Sequence, residues 1–265
     1  MKFSVQSYLT ALFQLSVQFH CTLLVNKRKI TVKRKFVIIN STARAGKDTL
    51  ATHLSRVLKS EDCATFSFKD PLIDVTCAFL GCSRIDFLDG YDLSCDDYIQ
   101  QLSDKGMLKT VDPMVTSLLM SEKYTWVKDV PFHNINGVWY SKRECLIKIS
   151  EEVIKPVAGA RFFGEAVLKT INSNINISTD GGFVDECLPL IESVESPDDV
   201  LILRINGNRG ADIVDSRKLL VADDFPGEFT PTFMDVTNNL DTDLNEFLVD
   251  ATKKVLTFLK ENENE

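Results

Sequence analysis

Histidine is scarce in this sequence, and no Cys-x-x-Cys pair occurs. The three histidines, His20, His53 and His133, are scattered, so no Cys/His spacing of the kind that builds a structural zinc site is present. The seven cysteines (Cys21, Cys63, Cys77, Cys82, Cys95, Cys145 and Cys187) are odd in number and unpaired in spacing. A disulfide framework is the poorer fit, and a reduced, intracellular chain is expected. No Ser/His/Asp or Cys/His arrangement points to nucleophilic catalysis. Acidic residues are missing from residues 1–35, which carry seven Lys/Arg; the other 230 residues hold 23 basic and 38 acidic groups, a net of −15 against −8 for the whole chain. A body this acidic is a poor binder of nucleic acid polymers. Any polyanion it takes must be met locally, by a few placed arginines and by backbone amides. A long apolar run is also missing. Gln6, Gln14, Gln18 and His20 interrupt the stretch from Val5 to Val25, and no A-x-A-like cleavage site follows. No membrane span is expected. Residues 1–34 read as an N-terminal extension outside the fold. The basic clusters Lys27-Arg28-Lys29 and Lys33-Arg34-Lys35 leave a membrane-surface or targeting role as its alternative.

What is present is an ordinary globular composition, 44% hydrophobic and 26% charged over 265 residues. It can bury a sizeable core in one domain, 35–265, with an inserted lobe. Residues 35–39 form a continuous apolar run of the type buried on both faces of a parallel sheet. A helix is expected over Asp48–Leu58, with Leu50, Leu54, Val57 and Leu58 on one face. A strand follows over Cys63–Phe68. The next helix has Asp70 as its N-cap and Pro71 at its first position, and it runs to Leu80 and stops at Gly81. Residues 83–140 are irregular, rich in Asp, Ser and Tyr, with a turn-like HNING at 133–137, and read as an inserted lobe. Helical spacing returns over Ser141–Lys155 and Arg161–Ile171. A strand at Ile175–Ser178 leads into an Asp180-Gly181-Gly182 turn, and Glu186–Val194 is a short helix. Val200–Ile205 is a buried strand, 206–228 is loop-rich, Thr232–Val236 is a last strand and Leu244–Leu259 a final amphipathic helix. Strands alternating with helices give an α/β fold: a parallel sheet with helices on both faces.

The stretch between the first strand and helix, NSTARAGKDTL (Asn40–Leu50), carries the chemistry. A strand, a glycine-containing loop and a helix opening at Lys47 make an anion site, because free N–H groups and the helix dipole point out of the helix start. Gly46 lets the backbone approach without a Cβ, Lys47 adds a full charge, and Thr49 offers a hydroxyl. Two positions depart from G-x-x-x-x-G-K-[ST]: Ser41 replaces the first glycine and Asp48 follows the lysine. The same residues also fit an ordinary capped helix with an exposed lysine.

The run Ala45-Gly46-Lys47-Asp48-Thr49 resembles the nucleoside monophosphate kinase branch of P-loop proteins, and more narrowly the deoxynucleoside monophosphate kinases of tailed phages. Four further segments match that family in order: Lys69-Asp70-Pro71-Leu72; Ser141-Lys142-Arg143 with Leu146; Asp180 after its strand; and Asp235-Val236-Thr237-Asn238-Asn239, followed by a helix with Leu244 and Phe247. The family's P-D-x-R is T-D-G-G here, so its arginine is missing. The resemblance implies a P-loop NTPase-type sheet with an inserted substrate-binding lobe at about 83–140 and a short lid at 206–228. It also implies transfer of the γ-phosphate of ATP, with Mg²⁺, to a (deoxy)nucleoside monophosphate in the cytoplasm, or in the host cytoplasm for a phage-encoded chain.

In that reading Ala43, Arg44, Ala45, Gly46, Lys47, Asp48 and Thr49 hold the ATP phosphates. Thr49 and Asp180 serve Mg²⁺, while Asp70, Arg143, Arg161 and Asp180 face the acceptor. Arg209 and Arg217 close from the lid with Lys47 as the catalytic cations. A solvated ion pair is the plainer role for each arginine, and Asp180-Gly181-Gly182 is also an ordinary turn. A kinase for another small acceptor, such as a nucleoside, and an inactive nucleotide-binding protein are the alternatives. The partners expected are nucleotides, with neither nucleic acid nor membrane; a homodimer is left open.

Overall fold

Every residue of the first strand, Lys35–Ser41 (KFVIINS, β1), is buried, which requires sheet neighbours on both edges and helices on both faces. The computed structural model that supplies them describes residues 34–42, 45–59, 61–89, 91, 131–135, 138–207 and 219–261. The expected extension, Ala43, Arg44, most of the inserted lobe, Arg209 and Arg217 lie outside the described residues. The other strands are β2 (Cys63–Phe66), β3 (Pro131–Ile135), β4 (Val138–Ser141), β5 (Ile175–Gly181), β6 (Val200–Asn206) and β7 (Thr232–Thr237). Five of them form one sheet in the order β2-β5-β1-β6-β7, and all its pairings are parallel. Strands β3 and β4 make a separate antiparallel hairpin. The segment expected to be irregular thus contains two strands, and His133–Ile135 of the expected turn belong to β3.

The helices are α1 (Lys47–Val57), α2 (Lys69–Leu80), α3 (Arg84–Leu88), α4 (Lys142–Lys148), α5 (Lys155–Ala158), α6 (Phe162–Leu168), α7 (Val184–Ser193) and α8 (Leu244–Glu261). The period-two alternation of β1 divides them between two faces. Val37 and Ile39 pack with Leu50 and Leu54 of α1 and with Phe247, Ala251 and Val255 of α8. Phe36 and Ile38 pack with Val167 of α6 and with Cys187, Leu190 and Ile191 of α7. Each of these four β1 side chains contributes roughly 2 kcal/mol of burial free energy. A third apolar cluster joins α2, α3 and α4 through Leu72, Ile73, Phe87 and Leu146.

The helix expected over Ser141–Lys155 is interrupted. Between α4 and α5 the chain makes a π-helical turn, Ile149–Ile154, and the Lys155 N–H reaches the Ser150 carbonyl. Pro156, inside α5, has no N–H to give to the carbonyl four residues back, and its ring crowds that carbonyl. Widening the preceding turn relieves both problems.

Connections leave β1 toward the β2 edge and β6 toward the β7 edge. The carboxyl ends of these neighbours therefore flank a topological switch point, where open α/β sheets bind ligands. Strands β6 and β7 are fastened there. Arg204 grips Asp235 with two hydrogen bonds, Nε to Oδ1 at 2.8 Å and Nη2 to Oδ2 at 2.5 Å, and Asn206 donates to the same carboxylate at 2.6 Å. The Arg204 hydrogen bond, then Asn206 and the Arg204 charge, hold the Asp235 carboxyl below its ordinary value despite partial burial. Its contribution to stability is therefore present above the unfolded-state pKa and lost as pH falls through the lower folded-state value. In urea titrations near neutrality, Asp235→Asn is expected to be less stable than wild type, by no more than about 1 kcal/mol because the pair is half exposed. The gap narrows once pH drops below 3.8, the ordinary aspartate value. A gap independent of pH would show that the pair contributes nothing electrostatically.

Candidate active site

The loop after β1 reaches α1 through Gly46, whose φ of 96° lies in the left-handed region. A side chain here would be strained by the backbone alone, and its Cβ would sit 2.8 Å from Asn238 Nδ2. That asparagine closes the loop from the far end of the sequence. Buried at 3% exposure, it donates Nδ2 to the Ala45 carbonyl at 2.8 Å, and its own N–H donates to the Asn206 carbonyl at 2.7 Å. The carboxyl ends of β6 and β7 thus hold the loop in shape. Gly46, the residue at the N-cap of α1, brings no side-chain cap of its own. Lys47 Nζ lies 3.4 Å from Asp48 Oδ2; the lysine side chain is largely covered and the aspartate is 76% exposed. Thr49 is exposed. Backbone amides, a lysine and a hydroxyl on one turn can hold an anion.

Beneath the loop, Asn40 is fully buried near the end of β1. Its Nδ2 donates to the Gly181 carbonyl at 3.0 Å, and its Oδ1 accepts from the Leu220 N–H at 2.8 Å. One side chain therefore joins the ends of β1 and β5 to the chain re-entering after residue 218. Gly181 permits this: a Cβ there would lie 2.4 Å from Ile38 Cγ2. Sequence reasoning assigned no role to Asn40 or Asn238. The available signals were a lone amide near the end of an otherwise apolar strand and an amide pair, Asn238-Asn239, just past the last one.

Asp180 and Gly181 belong to β5 rather than to a turn. The Asp180 carboxylate faces the start of α2: Oδ1 accepts from the Phe68 N–H at 2.8 Å and Oδ2 from the Lys69 N–H at 3.2 Å. Burial pushes its pKa up, while the Lys69 charge and the hydrogen bonds from Ser67, Phe68 and Lys69 pull it down. Asp70 is consequently not the N-cap. The helix begins at Lys69, and a carboxylate more than a hundred residues away satisfies the amides that a local cap would take. Asp70 pairs instead with Arg84, which also binds Asp74 at 2.8 Å.

Arg143 is half-buried at the start of α4, and it has no hydrogen-bond or ion-pair partner among the described residues. Its neighbour Lys142 turns inward and donates to the carbonyls of Asp86, at 2.7 Å, and Asp89; burial lowers its pKa. Arg161 is committed elsewhere, to Glu192 in the last turn of α7, and that hydrogen bond raises its pKa. Ala45, Gly46 and Lys47 of the loop thus share the carboxyl edge of the sheet with Asp180, while Arg161 is tied to α7. A concavity of about 410 Å³, lined by His53 of α1 and by Thr252, Lys253, Leu256 and Lys260 of α8, includes none of the loop residues. Among the described residues there is no cluster of three His, Cys, Asp or Glu side chains suited to a metal ion, and no helix long and apolar enough to cross a membrane.

Replacing Asp180 by alanine strands the Phe68 N–H at the start of α2, while the Lys69 N–H keeps Ser67 Oγ at 3.1 Å. The expected loss is about 1–3 kcal/mol, the cost of one buried unpaired group. Urea unfolding measures it, and a loss under about 0.5 kcal/mol, the level of an ordinary surface substitution, would mean that α2 does not depend on this cap. Neither the protein-family models nor the curated proteins give a match to this chain.

Proposed function

We propose that the chain is a P-loop kinase that transfers the γ-phosphate of ATP to a (deoxy)nucleoside monophosphate. The observation that carries this reading is the left-handed Gly46 turn at the carboxyl end of the central strand, opening a helix with Lys47 in its first turn. Phosphates fit this turn for a physical reason. Gly46 presents backbone where any side chain would collide with Asn238, and as a glycine it brings no side-chain cap of its own to the helix start. The strand order β2-β5-β1-β6-β7 supports a P-loop-type sheet, since it sets this loop at the switch point.

In this reading the amides of residues 43–49 and Lys47 hold the triphosphate. Mg²⁺, when bound, would neutralise charge on the transferring phosphoryl group, and Thr49 is the exposed hydroxyl beside the loop that could serve it. Asp180 fits direct metal ligation poorly, because both of its oxygens accept backbone hydrogen bonds. Its part is to fix α2 and, through α2, Asp70 at the acceptor side. Arg143, a cation with no partner among the described residues, is assigned to the acceptor phosphate. Arg161, already paired with Glu192, is the weaker candidate for that task. Arg209 and Arg217 keep the role that the sequence resemblance gives them, as cations closing over the transferring group. Catalysis of this kind depends on position and charge more than on covalent chemistry.

An ATP-consumption assay with Mg²⁺ across the four deoxynucleoside and four ribonucleoside monophosphates tests the reading. Turnover with a subset of acceptors is expected. Lys47→Ala should lower kcat/KM at least about 100-fold. Arg143→Ala should raise KM for the monophosphate about 10- to 100-fold, as loss of a charge-assisted contact does. Turnover with no monophosphate would overturn the assignment.

A further inference from the structure

The C-terminus of α2 brings two thiols together. Gly81 adopts φ 70°, ψ 29° just past the helix, and the Cys82 N–H donates to the Cys77 carbonyl at 3.1 Å. This is the six-to-one bond of a Schellman cap, a motif in which the side chains three residues before and two after the final helical residue meet. An apolar pair usually fills these two positions. Here they are Cys77, buried, and Cys82, partly exposed; burial, and after it the adjacent Cys82 thiol, raises the Cys77 pKa. The backbone bond keeps the two residues within the separation that a disulfide spans.

We propose that Cys77 and Cys82 form a reversible disulfide, making the end of α2 a redox modification site for low-molecular-weight disulfides. Cys82 is the entry thiol because it alone of the two is reachable from solvent. Its thiolate attacks one sulfur of glutathione disulfide, forming a mixed disulfide and releasing one glutathione thiolate. Cys77 then attacks the Cys82 sulfur, the internal S–S bond forms, and the second glutathione thiolate leaves. The chain loses two electrons and two protons; the oxidant gains both and becomes two thiols.

The other described cysteines are poorer partners. None of them has the backbone bond that ties Cys82 to Cys77: Cys145 and Cys187 are fully buried on α4 and α7, and Cys63 opens β2. The bond would cross-link the turn that leads into α3, whose Asp86 N–H donates to Ser83 Oγ and whose Arg84 returns to Asp70 and Asp74 on α2. Oxidation would thus fix the end of α2 against the start of α3.

The test uses the full chain, treated under native conditions with glutathione disulfide, then alkylated, digested with trypsin and weighed. Both cysteines fall on one tryptic peptide, Asp70–Arg84. The expected major product is that peptide two hydrogens lighter, unalkylated, and restored by dithiothreitol. Cys82→Ser should abolish the product. Because neighbours in sequence can also pair in an unfolded chain, the reaction is repeated in urea. The folded chain should form the bond at least about ten-fold faster, as a preorganised pair does. Alkylation of both cysteines, glutathione retained on Cys82, a Cys82–Cys145 link, or equal rates folded and unfolded would each overturn the proposal.

Discussion

The burial of β1 on both faces constrains everything around it. A strand covered on each side and paired on each edge has no water available, so a polar group at its carboxyl end must find partners inside the protein. Asn40 does so by binding Gly181 on β5 and Leu220 after β6. The partners that satisfy this buried amide are the segments that border the candidate site. Leaving Asn40 unsatisfied would cost stability, and satisfying it fixes the spatial relation between the loop and its neighbours.

A second amide repeats the logic one layer out. Asn238 reaches from the end of β7 to the Ala45 carbonyl, and its backbone is held by Asn206 at the end of β6. The loop is therefore shaped by contacts between residues nearly two hundred positions apart, while Gly46 adds no side-chain cap at the helix start. An anion site needs this division, because amides used up by internal caps could not hold phosphate. The chain's net negative charge gives a polyanion no long-range attraction, so one bound in the proposed site would have to be held by amides and a few cations at contact distance.

Much of the scaffold was legible in the sequence, because apolar runs and periodic faces report burial directly. Val200–Ile205 and the start of β1 read as buried strands, and α1, α2 and α8 fell within a residue or two of their expected bounds. Two of the failures share a cause: the deciding partner lies far away in sequence. Asp70 has the local features of an N-cap, yet Asp180 accepts from the Phe68 and Lys69 amides, and the helix begins two residues earlier. Asp180-Gly181 looks like a turn but stays in the strand, where glycine fits the close approach of Ile38. The wide turn before Pro156 and the β3–β4 hairpin have local causes, a proline ring without an N–H and the pairing of adjacent strands, that helical periodicity does not record. In the site, Gly46 and Lys47 could be read from spacing. Asn40 and Asn238 could not, since nothing local distinguishes a buried bridging amide from a loop asparagine.

The central claim is that the Gly46–Lys47 turn holds the phosphates of a nucleotide. Isothermal titration of the chain with ATP and Mg²⁺, beside the same titration of Lys47→Ala, addresses it most directly. The account requires one saturable site in the wild-type chain, weakened at least about ten-fold in the variant, the equivalent of roughly 1.4 kcal/mol. No binding to the wild-type chain, or equal affinity in both, would contradict it.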